Sequence, residues 1–280
     1  MRVYTKLAIV RSFELADYFI FLSFPLLIVE VVVGYYMVKY GAGVHQWQVS
    51  FRQLFQQLYW MNTGEIIYCP LSFLVKAAIL LQYIRLFAPD RHVNKFMWFA
   101  SWATMAGCFI FYTIFMFWTM YYCKPRKMIW DKFTPGGKCH DHNPIVISQG
   151  SFNMASDVII LLLPTHSLWQ LSVPFARKMV ITLLFATGLL CVAHSTLYNP
   201  SHSFRACAAS AMRILFTVKI APVISMSDVS HNGLFIGLWT EAEVALSFVV
   251  ACALCIPRLI QAKGNKLKHA MSYASSPFSS

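Results

Sequence analysis

The stretch FMWFASWATMAGCFIFYTIFMFWTMYYC, Phe96–Cys123, contains no Lys, Arg, Asp or Glu. Roughly 20 apolar helical residues cross the hydrocarbon layer of a bilayer, and this run is longer than that. Comparable runs lie at Tyr18–Val38, Ile66–Phe87, Ile145–Leu168, Met179–Ala193 and Leu234–Ile256. With 58% hydrophobic and 12% charged residues, the chain reads as an all-α polytopic transmembrane helical bundle with six spans.

At 280 residues there is room for one membrane domain, residues 1–260. A basic, Ser-rich cytoplasmic tail follows over 261–280 and is expected to be disordered. The formal charge of +12 fits loops against anionic lipid headgroups. No cluster of Lys and Arg interleaved with aromatics forms a nucleic-acid face, so the expected partner is membrane lipid. The N-terminus lacks the basic, apolar and small-residue pattern of a cleavable signal. An even number of spans puts both termini on one side. The short basic connections at Arg85–Lys95 and Arg177–Lys178, with the basic tail, place that side in the cytoplasm of a plasma membrane or endomembrane.

Of eight cysteines, Cys69, Cys108, Cys191, Cys252 and Cys255 fall in apolar helices, as small hydrophobes do. Cys123 and Cys139 bracket a polar loop on the proposed outer side, where a disulfide is expected. Cys252-x-x-Cys255 lies in an apolar helix without metal-binding neighbours. His140-Asp141-His142 reads as a solvated loop tip, so no metal site is expected. In the connection Gly41–Gly64, Phe51, Leu54, Phe55 and Leu58 recur at helical spacing opposite Arg52, Gln53, Gln56 and Gln57. This amphipathic helix is expected to lie in the membrane interface or to form a lid over an outward pocket.

Ionisable residues within a bilayer are costly and mark function by default. Lys76, Asp157, Glu243 and Glu30 fall at comparable depth in their spans, so they are expected to form one polar layer facing the bundle interior. Lys76 is the basic member and is expected to pair with Asp157 or Glu243. Two readings stand side by side: an ion-pair cluster that fixes helix packing, or the floor of a ligand cavity or proton relay. Glu65 and Glu241 lie nearer the outer interface. Pro70 and Pro164 fall inside spans, where they are expected to bend a helix or open a cavity.

Several functions are argued against. Leu234–Ile256 holds no lysine for a retinal Schiff base, so no retinal cofactor is expected. There is no phosphate-binding P-loop, no His-Glu-x-x-His motif, and no pair of similar halves as in many secondary carriers.

The chain resembles the fungal rhodopsin-like integral membrane proteins, seven-helix proteins related to fungal receptors with an extracellular cysteine-rich domain. The resemblance runs through RVYTKLAIVRSFELADYF, KYGAGVH, LVKAAILLQYIRLF and NMASDVIILLLPTHSLWQL. It also includes Cys123, Pro125, Trp130, Gly137 and Cys139 in the outer loop, and Trp239 and Glu243 in the last helix. It implies a seven-helix plan whose first helix is missing before Arg2 and whose sixth is interrupted by the polar stretch His194–Ala208. Arg213 would join Lys76, Asp157 and Glu243 if that sixth helix were continuous. The resemblance also implies a receptor-like protein, more readily a binder than an enzyme, with a small-molecule ligand in the bundle and a cytoplasmic signalling partner. An integral membrane enzyme or accessory protein of secondary metabolism is the alternative, and a small-molecule carrier the third.

Overall fold

The computed structural model describes residues 14–89, 92, 94–131, 133–170 and 229–253. Within them the chain forms five long helices: α1 (Leu15–Lys39), α2 (Phe51–Phe87), α3 (Lys95–Tyr121), α4 (Asn143–Gln170) and α5 (Val229–Ala253). Helices α1, α2, α3 and the Pro144–Pro164 part of α4 are long and apolar enough to cross a membrane. The expected spans at Met179–Ala193, the polar insert His194–Ala208, Arg213 and the 261–280 tail lie outside the described residues.

Local chemistry fixes where these helices begin. Glu14 and Asp17 form a reciprocal capping box on α1, and Ser50 and Gln53 do the same on α2. The side chain of Asn94 accepts from the backbone N–H of Met97 at 3.0 Å and so caps α3. Each cap satisfies backbone donors that the first helical turn leaves unpaired. Helices α1, α2 and α4 each continue through an internal proline, Pro25, Pro70 and Pro164.

Helix α2 corrects one expectation. The amphipathic segment that begins at Phe51 is the first part of a 37-residue helix that continues without a break to Phe87. At 1.5 Å per residue it is about 55 Å long, well beyond a hydrocarbon core of about 30 Å. It is therefore neither a separate interfacial helix nor a lid. Gly64 alone does not stop a helix, because its cost there is only about 1 kcal/mol. The aromatic stripe meets the outer loop: the ring of Phe133 lies edge-on to Phe51 and Phe55, and Trp130 edge-on to Tyr59. Phe133 and Trp130 belong to the loop closed by the Cys123–Cys139 disulfide, across which β1 (Cys123–Lys124) pairs antiparallel with β2 (Lys138–Cys139).

Helix α2 is also the hub, packing against α1, α3, α4 and α5. Its Leu71, Val75, Ala78 and Leu80 are fully buried. The flanking helices turn apolar side chains outward, including Leu22 and Val31 of α1 and Ile110, Ile114 and Phe117 of α3. An apolar exterior, with the few charged groups turned inward, is the arrangement that hydrocarbon, rather than water, stabilises.

Candidate functional site

Lys76 projects from the hub into the bundle and is only 4% exposed. Its ammonium lies 2.8 Å from Oδ1 of Asp157 and donates to Oγ of Ser156 and Oδ1 of Asn153, both at 2.6 Å. Three N–H groups thus meet three close acceptors, all from one face of α4. Asn153, Ser156 and Asp157 share that face because they lie at i, i+3 and i+4. A longer contact, 3.3 Å, runs to the Asn153 carbonyl.

Asn153 is fully buried and extends the network to two further helices. Its Oδ1 also accepts from the Tyr112 hydroxyl of α3 at 2.7 Å, while its Nδ2 donates to Glu243 of α5. Two donors on one side and a carboxylate on the other dictate the orientation of the amide, since a flip would set donor against donor. The Lys76 ammonium also stands 5.8 Å from the centre of the Tyr112 ring, within reach of its π face.

The structure therefore gathers Lys76, Asp157 and Glu243 into one network, with Asp157 paired directly and Glu243 through Asn153. Glu30 is not among these partners. It lies against Gly64, where an added Cβ would stand 3.3 Å from its Oε1. Gly64 precedes Lys76 by twelve residues on α2, about 18 Å along the axis. Asn153, Ser156 and Tyr112 complete the network without standing out as charges in the sequence.

Two polar junctions close the end of the bundle that carries the disulfide. His142 contacts Glu65 of α2 through Nε2 at 3.1 Å and stacks on Tyr122 at 4.4 Å, while His140 lies against Trp118. Burial, and then the Glu65 carboxylate, push the Tyr122 phenol well above its ordinary value. The second junction joins Ser230 to three partners. Its hydroxyl lies 2.9 Å from the Gly41 carbonyl and 3.0 Å from Oε1 of Gln57, and its carbonyl accepts from Gly43 N–H. Gly43 has φ +94°, a conformation that favours glycine. At the other end Arg85 forms an ion pair with Glu14, tying α2 to the start of α1.

The profile of the fungal rhodopsin domain family matches residues 1–262. The chain is 27% identical over 243 residues to "Fugralins biosynthesis cluster protein 2" of Gibberella zeae, covering 85% of this chain and 55% of that protein. It is 31% identical over 183 residues to a SAT4 family membrane protein of Emericella nidulans, covering 65% of this chain and 43% of that one. The chain thus spans about half the length of these relatives. No solved structure matches it.

Proposed function

The chain belongs to the fungal rhodopsin domain family, and from that premise we propose a receptor-like multi-pass membrane protein that binds a small, lipophilic ligand between its helices. The observation that supports this reading is the Lys76 network, in which Lys76 of α2 holds Asn153 of α4 and that amide joins Tyr112 of α3 and Glu243 of α5. A buried charge pair is stabilising only while its geometry holds, and breaking it is costly. A ligand that moves any one of these helices therefore acts on the other three. Such coupling lets differential binding select between two bundle arrangements.

In this proposal the Arg85–Lys95 connection and both chain termini face the cytoplasm of a plasma membrane or endomembrane. The basic connection is then available to a signalling partner, and the disulfide loop lies on the opposite side. A role in secondary metabolism is the second reading, favoured by the similarity to a biosynthesis cluster protein. There Glu243, joined to the network through Asn153, would serve as proton donor to an apolar substrate.

A deletion strain separates the two. Unchanged metabolite chemistry with an altered environmental response supports the receptor, whereas an accumulated precursor supports the enzyme. Complementation with Lys76→Met is expected to fail for the response. Full rescue by that allele, at wild-type protein level, would remove the Lys76 network from the mechanism.

A further inference from the structure

Helix α4 buries a stripe whose two halves differ in chemistry. Gln149, Asn153, Ser156, Ile160 and Leu163 recur at spacings of four, three, four and three residues, and all are buried. Such spacing keeps one seam of a helix against its neighbours. The half nearer the disulfide loop is polar, and the half that ends at Pro164 is apolar. Hydrogen bonds hold in one alignment and lapse beyond about 3.5 Å. Apolar contact is non-directional and survives a small rotation. The outer half is therefore a latch and the inner half a bearing. Pro164 lacks the N–H that would bond the Ile160 carbonyl, which loosens the backbone at that bearing.

The latch has two points in register. Glu65 of α2 meets His142 at 3.1 Å, and eleven residues further along both helices Lys76 meets Asn153 at 2.6 Å. Eleven residues make about three turns, or about 16 Å, so Glu65 and Lys76 share one face of α2. By the same count His142 and Asn153 share one face of α4, and the two helices run parallel. His142 belongs to the start of α4, because its carbonyl accepts from the N–H groups of Ile145 and Val146. A displacement of that imidazole is thus tied to a displacement of the helix. Toward α3 the same stretch is held by the Tyr112 hydroxyl and by the stack of Phe152 on Phe111 at 3.9 Å.

We propose that α4 is the moving element of the bundle, swinging about Ile160, Leu163 and Pro164 to open its seam with α2 and α3 from the disulfide-loop end. Both latch points part together, because one helix carries His142 and Asn153. The opening admits a molecule from that end to the Lys76 network. This rests on the ligand-binding reading above and names the helix whose position the ligand selects.

Two free cysteines on the seam report its opening. Cys69 lies four residues after Glu65 and seven before Lys76 on the same face of α2, and Cys108 lies one turn before Tyr112 on α3. Each is 1% exposed. The full chain in nanodiscs is treated with N-ethylmaleimide below its unfolding temperature, and mass spectrometry follows labelling at each site. His142→Ala frees the outer latch point and is expected to speed labelling of both cysteines at least about tenfold. Glu65→His sets a second imidazole opposite His142, so Zn²⁺ can bridge the pair. Zinc is then expected to slow labelling at both sites and EDTA to restore it, with no effect once His142→Ala is added. That comparison within one folded protein covers the case in which His142→Ala alone does not fold. Labelling of the Glu65→His variant that zinc leaves unchanged, or that zinc slows at one cysteine and not the other, would overturn the swing of α4. No ligand enters this test, and the receptor reading is judged separately by the deletion strain.

Discussion

The hydroxyl of Tyr112 and the ammonium of Lys76 converge on one acceptor, Oδ1 of Asn153, at 2.7 and 2.6 Å. Helices α2 and α3 are thereby referenced to the same atom of α4, and the opposite side of that amide reaches α5 through Glu243. One buried Asn thus registers four helices.

Tyr112→Phe removes one donor and leaves Lys76 to hold the acceptor. A single intramolecular hydrogen bond contributes about 1 kcal/mol, so a modest fall in unfolding temperature is expected, with normal expression. Tyr112→Ala should be far worse, because the ring is buried against Phe152 and Tyr68. Thermal stability by size-exclusion chromatography of fluorescent fusions compares the two. Equal losses would show that the hydroxyl, and not the packing of the ring, is what matters at this position.

Lys76→Met removes the ammonium that pairs with Asp157. Removing one partner of a buried pair costs roughly 3–5 kcal/mol, enough to deplete folded protein of ordinary stability. The double change Lys76→Met with Asp157→Asn is expected to recover much of that loss, since both charges of this pair are then removed together. The folded fraction of the single and double variants checks this, and no recovery would argue against a direct energetic link between the two residues.

The charges of this network stand out in the sequence because an ionisable group in an apolar run is costly and needs a reason. Asn153, Ser156 and Tyr112 carry no such mark, being neutral groups that a membrane helix tolerates. The available signal was the spacing of Asn153, Ser156 and Asp157, which puts three polar side chains on one helical face. The periodicity from Phe51 to Leu58 announces a helix but not its end. Continuity through Gly64 follows only from packing, where Glu30 and Val33 approach the missing side chain. The Ser230–Gln57 contact joins residues 173 positions apart, a pairing that no local pattern carries.

Replacing Cys123 or Cys139 with Ser is expected to loosen the loop that holds Trp130 and Phe133 over α2. The bridge closes a segment with a sequence separation of 16. Chain-entropy reasoning gives about 3 kcal/mol for a loop near that length, most of it expressed at the loop end of the bundle. Protease cleavage between the cysteines should therefore accelerate while the spans remain folded. Unchanged cleavage in both Ser variants would mean that the aromatic contacts alone hold the loop.

Tyr122 gives a pH dependence on the alkaline side. In the unfolded chain its phenol ionises near pH ~10, whereas burial and Glu65 keep the folded phenol neutral to higher pH. Its contribution to stability is complete below about pH 10 and declines above it, because only the unfolded chain then releases the proton. Tyr122→Phe should make the fall in unfolding temperature between about pH 10 and 11 less steep. Identical slopes would show that the phenol titrates alike in both states.

Gly64 separates propensity from packing. An added Cβ would stand 3.3 Å from both Glu30 Oε1 and Val33 Cγ1, a close approach rather than a collision. Gly64→Ala gains about 1 kcal/mol of helix propensity, which offsets a small shift of the Glu30 side chain. Near-neutral stability is expected. Gly64→Leu gains the same propensity but pushes a whole side chain between α1 and α2, where overpacking costs about 1–3 kcal/mol or more. The two variants should therefore diverge in unfolding temperature, with Leu well below Ala. If both prove equally stable, α1 does not approach α2 at Gly64, and the position of Glu30 beside it would have to be revised.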